Sequence, residues 1–483
     1  MNLASMEFAA FAAVLLFLYY HIQGKHQWKL LLTASTLFYL RSGWRYFAFL
    51  LFTSLTSYFA IQKMEQNKLS LGKQEAKQKN RPILLCCLTV NFGLLFLCKA
   101  CLLVPGTFLS LGLPLGISFY MFQTMGYVMD VHRGTAKGEE NFLKFHLFAS
   151  FFPLLIQGPI CRYGQLAPQL FQEHPYHRKN LSFGLQRMLW GYFKKLVIAD
   201  RIAPAVVILH GVADSGAAFF LLTLFYAVQI YADFTGGIDV VLGLSQALGI
   251  ELPENFSLPF FSKTVAEYWR RWHISLGEWM KNYIFFPVSV SRPMLRLSKA
   301  ARSRFGDRGK RLPVYIATII TWAVTGIWHG LTPNFLLWGM LNCGVILLSE
   351  ERPFRLHLPE GKGWDAFRMV RTFLLMNLIR ACDLFPNPMD YFRRIASLLK
   401  PNFAALQGTR LLSTLDFGIL AFGVTLMFTV SCIQNRGTSL RRWLWRKGEA
   451  VRYALLFALF LLVLLMGRYG VGYEASNFIY NQF

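Results

Sequence analysis

His329 is the residue of this chain best suited to chemistry. It stands in Gly326-Ile327-Trp328-His329-Gly330, near the end of an otherwise apolar run from Val314 to Trp328. An ionisable side chain inside such a run is costly and marks function by default. Imidazole titrates near neutral pH, so it can take a proton from a hydroxyl as that hydroxyl attacks an acyl carbonyl. General base catalysis is the chemistry this position suits. The competing possibility is a structural histidine bonded to a neighbouring helix's carbonyl.

His273 lies in Tyr268-Trp269-Arg270-Arg271-Trp272-His273-Ile274-Ser275-Leu276. Taken alone, this is a basic, aromatic segment that could simply anchor to lipid headgroups. Its functional alternative is that Arg270 and Arg271 attract an anionic donor, such as a phosphopantetheine or nucleotide phosphate, through paired guanidinium donors. His273 would then orient the donor or assist at a thioester. A third constellation runs from Gln229 to Asp239 and carries Asp233 and Asp239 around Gly236-Gly237. Buried carboxylates must be paired or hydrogen-bonded. Arg270, Arg271 or a histidine could serve as partner; equally, the glycine pair could mark a capped helix break. His174-x-x-His177 has metal spacing, but it falls in a Pro-containing polar loop, and no metal site is expected there. Phosphate-loop, nucleophile-elbow and His-Glu-x-x-His motifs are absent, which argues against an ATP-driven pump, an α/β-hydrolase and a zinc protease.

The elements that must position these residues are transmembrane helices. Of the 483 residues, 54% are apolar and 16% charged, and the mean hydropathy is +0.38. A soluble domain carries about a quarter charged residues. Clear spans are 4–22, 44–62, 83–104, 216–232, 313–330, 333–349, 415–433 and 452–469. Weaker ones are 28–40, 115–130, 142–158, 181–209, 236–250 and 368–385. At ~20 residues per crossing this predicts an all-α polytopic membrane protein with about 10–12 transmembrane helices. The Pro105 to Gly116 stretch predicts re-entrant or packed backbone. Met389 to Leu399 and Val265 to Phe286 are amphipathic and predict interfacial helices. No repeat or soluble linker interrupts the chain, so a single membrane domain over 1–483 is the simplest organisation.

The net charge of +25 does not imply nucleic acid. Segments 63–82, 292–311 and 434–452 hold 6, 8 and 6 Lys/Arg against 2, 1 and 1 Asp/Glu, in polar stretches between apolar runs. Such loops stay on the cytoplasmic side, facing anionic lipid. With 63–82 and 434–452 inside, both termini fall outside and the number of crossings is even. The first apolar run, Phe8 to Ile22, follows Glu7 instead of a basic region and has no small-residue cleavage site, so it reads as a retained helix. Most of the eight cysteines, Cys98-x-x-Cys101 included, lie in apolar runs as small filler and not as a disulfide framework.

Together these segments resemble the membrane-bound O-acyltransferase family, in the branch of the bacterial alginate O-acetyltransferase membrane subunit and the teichoic-acid D-alanyl transferase. The matching residues are Gln157-Gly158-Pro159-Ile160, Gln229 to Asp239, Glu254-Asn255-Phe256 with Pro259-Phe260, Tyr268 to Leu276, Trp328-His329-Gly330 and the terminal Phe478 to Phe483. Ala232 stands where the branch commonly has Cys, and Asn481 where it has an aromatic. The resemblance implies a ring of tilted helices around a central funnel, with His329 deep inside it as the catalytic residue and His273 nearer the cytoplasm. It implies no permanently bound cofactor. The acyl donor would be a cytoplasmic thioester, on coenzyme A (acetyl-CoA) or on an acyl carrier protein phosphopantetheine. The acceptor would be an extracytoplasmic polysaccharide such as alginate, reached with an extracytoplasmic SGNH-type acyltransferase as partner. The location would be the bacterial inner membrane, in contact with the lipid bilayer.

His329 and His273 are the expected catalytic pair. Arg270, Arg271, Trp269, Trp272, Asp233, Asp239, Gln229, Asn255 and Trp328 are the expected substrate-binding residues. His329 would act as a base or carry the acyl group itself. D-alanyl transfer to teichoic acid is the runner-up; a transporter or flippase and a noncatalytic scaffold are rivals from other classes. A flippase is disfavoured because no internal repeat is evident.

Overall fold

The computed structural model describes residues 2–103, 113–350 and 359–469. Residues 105–112 of the expected re-entrant stretch and the terminal Phe478 to Phe483 lie outside the described residues. Among those described, the secondary structure is helical: α1 (Met6–His21), α2 (Gln27–Leu40), α3 (Trp44–Ser70), α4 (Lys73–Cys101), α5 (Ile117–Arg133), α6 (Phe142–Ser150), α7 (Phe152–Gln157), α8 (Tyr163–Phe171), α9 (Arg178–Tyr192), α10 (Asp200–Gly211), α11 (Gly216–Ala247), α12 (Val265–Arg271), α13 (Ile274–Met280), α14 (Phe286–Ser289), α15 (Arg292–Phe305), α16 (Leu312–His329), α17 (Pro333–Glu350), α18 (Lys362–Arg380), α19 (Pro388–Ser397), α20 (Thr414–Asn435), α21 (Leu440–Trp445) and α22 (Glu449–Met466). Among the described residues, five helical stretches are long and apolar enough to cross a bilayer: Lys73–Cys101, Gly216–Ala247, Gly309–His329, Thr414–Asn435 and Glu449–Met466. Shorter apolar helices cover Met6–His21, Phe142–Gln157 and Pro333–Ser349. Large side chains such as Phe457 and Leu465 point outward on α22, as a lipid-solvated helix requires.

Several boundaries differ from expectation. The basic stretch 63–82 is not an extended loop. Helix α3 runs on to Ser70 and α4 begins at Lys73, because Lys, Gln and Glu are good helix formers and pair along the helix, as Lys68–Glu65 (2.8 Å) and Lys79–Glu75 (3.1 Å) do. Spans 216–232 and 236–250 fuse into the 32-residue α11. Gly236-Gly237 therefore does not break the helix. α9 instead crosses it closely through its own glycines: a Cβ on Gly191 would collide with the Gly236 carbonyl, and one on Gly184 with that of Gly243. Small residues at such crossings let backbones approach closely. Val265 to Phe286 is not one interfacial helix but α12, α13, a π-helical turn (Lys281–Phe285) and the start of α14.

The described residues form two compact units, one of residues up to 192 with 236–253, the other of 193–235 with 254–350 and 359–469. In the first, Tyr39, Leu50, Leu95, Ile117, Tyr120, Met121 and Leu155 form a buried apolar cluster. Asp239 also lies in this unit and pairs with Arg187 at 2.8 Å. The second unit contains both proposed catalytic histidines.

Candidate active site

His273 sits between two short helices, capping α13 in a left-handed conformation, φ 48° and ψ 54°. For a residue with a Cβ this costs roughly 1–2 kcal/mol, so neighbouring contacts must impose it. They come from the segment around Asn255. Phe256 bridges Trp272 in antiparallel fashion, Ser257 N–H donates to Arg271 O (2.9 Å), and Ile274 N–H donates to Asn255 O (3.0 Å). The fully buried Asn255 side chain completes the clasp. Its Oδ1 accepts from Ser275 N–H (3.0 Å) and Ser275 Oγ (2.9 Å), and meets His273 Nδ1 at 3.3 Å. A backbone N–H only donates, so the Asn255 atom facing Ser275 is the oxygen. That oxygen only accepts, so His273 Nδ1 carries the ring proton and Nε2 the lone pair. His273 lies outside the five long spans. Burial, reinforced by the positive charge of Arg380, pushes its pKa down to about 3, so the ring is neutral.

His329 ends α16 and is buried among aromatic rings: Trp328 at 4.7 Å, Trp338 at 4.8 Å and Phe335 stacked at 6.3 Å between centroids. The hairpin of α16 and α17 makes this possible. A Cβ on Gly326 would meet the Phe335 backbone, and one on Gly339 would meet the Trp322 carbonyl. Glycine at both positions lets α17 press Phe335 and Trp338 against His329.

The two histidines belong to one connected group. His273 packs edge-on to Trp328 (6.3 Å) as well as to Phe234 (5.1 Å). Trp328 touches His329, and His329 touches Trp338. The Arg380 guanidinium lies 5.4 Å from the Trp338 ring centroid and 5.3 Å from that of Trp272, the residue before His273. Trp269 extends the wall, meeting Trp322 (5.1 Å) and Trp338 (5.5 Å), with its Nε1–H donating to Asn342 Oδ1 at 3.0 Å. The more deeply buried indole N–H groups of Trp272 and Trp338 have no acceptor among the described residues.

The fold therefore brings together His273, His329, Trp269, Trp272, Trp328 and Asn255. It treats the acidic residues differently. Asp233 does not pair with Arg270 or Arg271. It is buried against Lys195 (2.6 Å), which also holds Asp200 (2.9 Å), where the chain makes a π-helical turn over Phe193–Ala199. A charge at membrane depth takes the nearest opposite charge, and the π turn presents Lys195 to α11. Gln229 is half-buried one turn before Asp233. Arg271 is tied to Glu267 at 2.6 Å, whereas Arg270 is exposed and forms no ion pair among the described residues. Sequence reasoning missed Arg380 and Trp338. Arg380 carried a usable signal, a cation inside the apolar stretch 368–385. A tryptophan in an apolar helix carries none.

Residues 139–369 match the sequence model of the membrane-bound O-acyltransferase family. The chain is 32% identical over 378 residues to the protein named probable alginate O-acetylase AlgI of Azotobacter vinelandii, covering 76% of this chain and 71% of that one. It is 29% identical over 429 residues to the peptidoglycan O-acetyltransferase of Helicobacter pylori, covering 76% and 77%. It is 27% identical over 270 residues to the teichoic acid D-alanyltransferase of Bacillus subtilis, covering 54% and 65%.

Proposed function

The chain belongs to the membrane-bound O-acyltransferase family and is an acyltransferase acting on hydroxyl groups, and from that premise we propose that it moves an acetyl group from a cytoplasmic thioester towards an extracytoplasmic polysaccharide such as alginate, with His329 as the base. The observation that carries this proposal is the aromatic enclosure of two histidines linked through Trp328. The acetyl donor is a thioester on coenzyme A or a carrier-protein phosphopantetheine. Arg270, exposed at the end of α12, meets its phosphates. The acyl end enters among Trp269, Trp272 and Trp328. Neutral His273 offers its Nε2 lone pair to an amide N–H of the pantetheine arm and so orients the donor. An acceptor hydroxyl gives its proton to His329 as its oxygen attacks the thioester carbonyl. The tetrahedral intermediate collapses, the C–S bond breaks, and the departing thiolate takes the proton back from the imidazolium. The partial negative charge at the carbonyl end of α16 favours that transient cation, and the dry aromatic wall keeps water from the thioester. The protein works in the bacterial inner membrane, and an SGNH-type partner outside completes delivery.

Acetyl transfer is preferred to D-alanyl transfer because the likeness to the acetylase of A. vinelandii is higher and spans more of the chain than that to the B. subtilis D-alanyltransferase. Transfer of labelled acetyl in membranes carrying His329→Ala, normalised to folded protein, is the test. Loss of about 100-fold or more is expected for a general base. A wild-type rate would remove His329 from the chemistry, and a trapped acetyl-histidine would replace base catalysis by an acyl intermediate.

A further inference from the structure

Arg380 ends α18 with its side chain buried, 6% exposed. A guanidinium in that setting is costly unless something answers it. Its carboxylate neighbour Asp383 is 3.8 Å away. Two indoles also face it, with its Cζ 5.3 Å from the Trp272 centroid and 5.4 Å from that of Trp338. Cation–π attraction is strongest for tryptophan and grows when the pair is desolvated.

Each of these indoles governs one histidine. Trp338 packs on His329 at 4.8 Å, and Trp272 immediately precedes the left-handed His273 and bridges Phe256 in the segment that holds it. The turn after Arg380 is itself fastened down. Buried Asn334 donates from Nδ2 to Cys382 O at 3.1 Å and to Phe385 O, and Cys382 Sγ returns to Asn334 O at 3.5 Å. Asn334 lies one turn before Trp338 on α17. The cation is therefore fixed to the same helix as the ring it touches.

We propose that Arg380 is a positioning residue of the acyl-transfer site, clamping the Trp272 and Trp338 indoles so that His273 and His329 are held in one rigid frame. The proposal rests on the assignment of those two histidines to the reaction. It does not place Arg380 on the substrate. The clamp acts through the rings, so its loss should lower turnover more than donor binding, and any residue that restores a cation there should recover function.

The test uses the full-length protein in membranes, as wild type, Arg380→Gln, Arg380→Lys and His329→Ala, with rates normalised to protein that elutes monodisperse in detergent. Acetyl-coenzyme A and acetylated acyl carrier protein serve as donors. In parallel, diethylpyrocarbonate modification of His273 and His329 is followed by mass spectrometry, a readout that needs no turnover. Arg380→Gln is expected to lose ~10–100-fold in kcat, about the size of one desolvated cation–π contact, with KM for donor within ~3-fold of wild type. Both histidines should react faster with the reagent, and Arg380→Lys should recover most of the kcat and of the protection. Wild-type kcat and unchanged histidine reactivity in Arg380→Gln would overturn the proposal, as would an Arg380→Lys variant no better than Arg380→Gln in both readouts. A dead His329→Ala beside a fully active Arg380→Gln defeats the clamp alone. An active His329→Ala defeats the assignment beneath it.

Discussion

Replacing Asn255 by leucine keeps the side-chain volume close to native and removes the oxygen that gathers Ser275 N–H, Ser275 Oγ and His273 Nδ1 at 3.0, 2.9 and 3.3 Å. The Ser275 hydroxyl can rotate to another acceptor. The Ser275 amide and the His273 ring N–H cannot, because both lie in the buried turn that Asn255 closes. At roughly 1–3 kcal/mol for each buried donor left without an acceptor, the variant loses ~2–6 kcal/mol from the local structure. The His273 backbone, left-handed at φ 48°, would then relax towards ordinary geometry and carry the imidazole away from Trp328. If only the lower bound, ~2 kcal/mol, falls on the positioned state, transfer slows about 30-fold at 1.36 kcal/mol per decade. The assay is acetyl transfer per folded enzyme, with thermal unfolding in detergent alongside. Ser275→Ala is the control: it deletes one hydroxyl bond and keeps the amide bond, and should cost less than about 5-fold. An Asn255→Leu protein with wild-type rate and unchanged melting would refute the view that this clasp sets His273.

Two further outcomes follow from buried charge. His273 binds its proton more weakly in the fold (pKa about 3) than in the unfolded chain (6.5), so the unfolded state takes up the proton first as pH falls. Its contribution to stability is complete above about pH 6.5 and declines from there towards pH 3; melting of the wild type should fall across that window, and His273→Gln should flatten the slope. Lys195→Met leaves Asp233 and Asp200 buried without their shared cation and should destabilise the protein by ~3–5 kcal/mol, against a smaller loss for Asp233→Asn, which keeps the Lys195–Asp200 pair; expression and melting of the two variants compare them, and equal losses would contradict the assigned pairing.

Sequence legibility followed the range of the physics. Long apolar runs must become helices in lipid because every backbone polar group has to be satisfied within its own segment, and α16, α17, α20 and α22 lie within a few residues of where hydropathy put them. His329 was visible for the same local reason, a titratable ring in an apolar run. Elsewhere local signals misled. Gly236-Gly237 suggested a break, yet α11 runs through it unbroken, and the glycines that matter at its crossing with α9 are Gly184, Gly191 and Gly243, which only the packed partner reveals. The basic, aromatic stretch around His273 suggested a membrane border, yet Trp272 and His273 are almost fully buried because the Asn255 segment, a dozen and more residues upstream, pairs with them.

The amino-acid sequence by itself determined that this chain enters a membrane, that its long apolar runs are helices, and that two histidines in aromatic surroundings are the chemical candidates. Those are consequences of solvent and of composition, which act on each segment separately. Partnership was decided only by the tertiary structure. Asp233 went to Lys195 and Asp239 to Arg187, not to Arg270 or Arg271. His273 met His329 through Trp328, and Arg380 came to lie against both flanking indoles. Ion pairing and ring stacking fall off within a few ångströms, so they depend on which helices touch, and no periodicity along the chain encodes that.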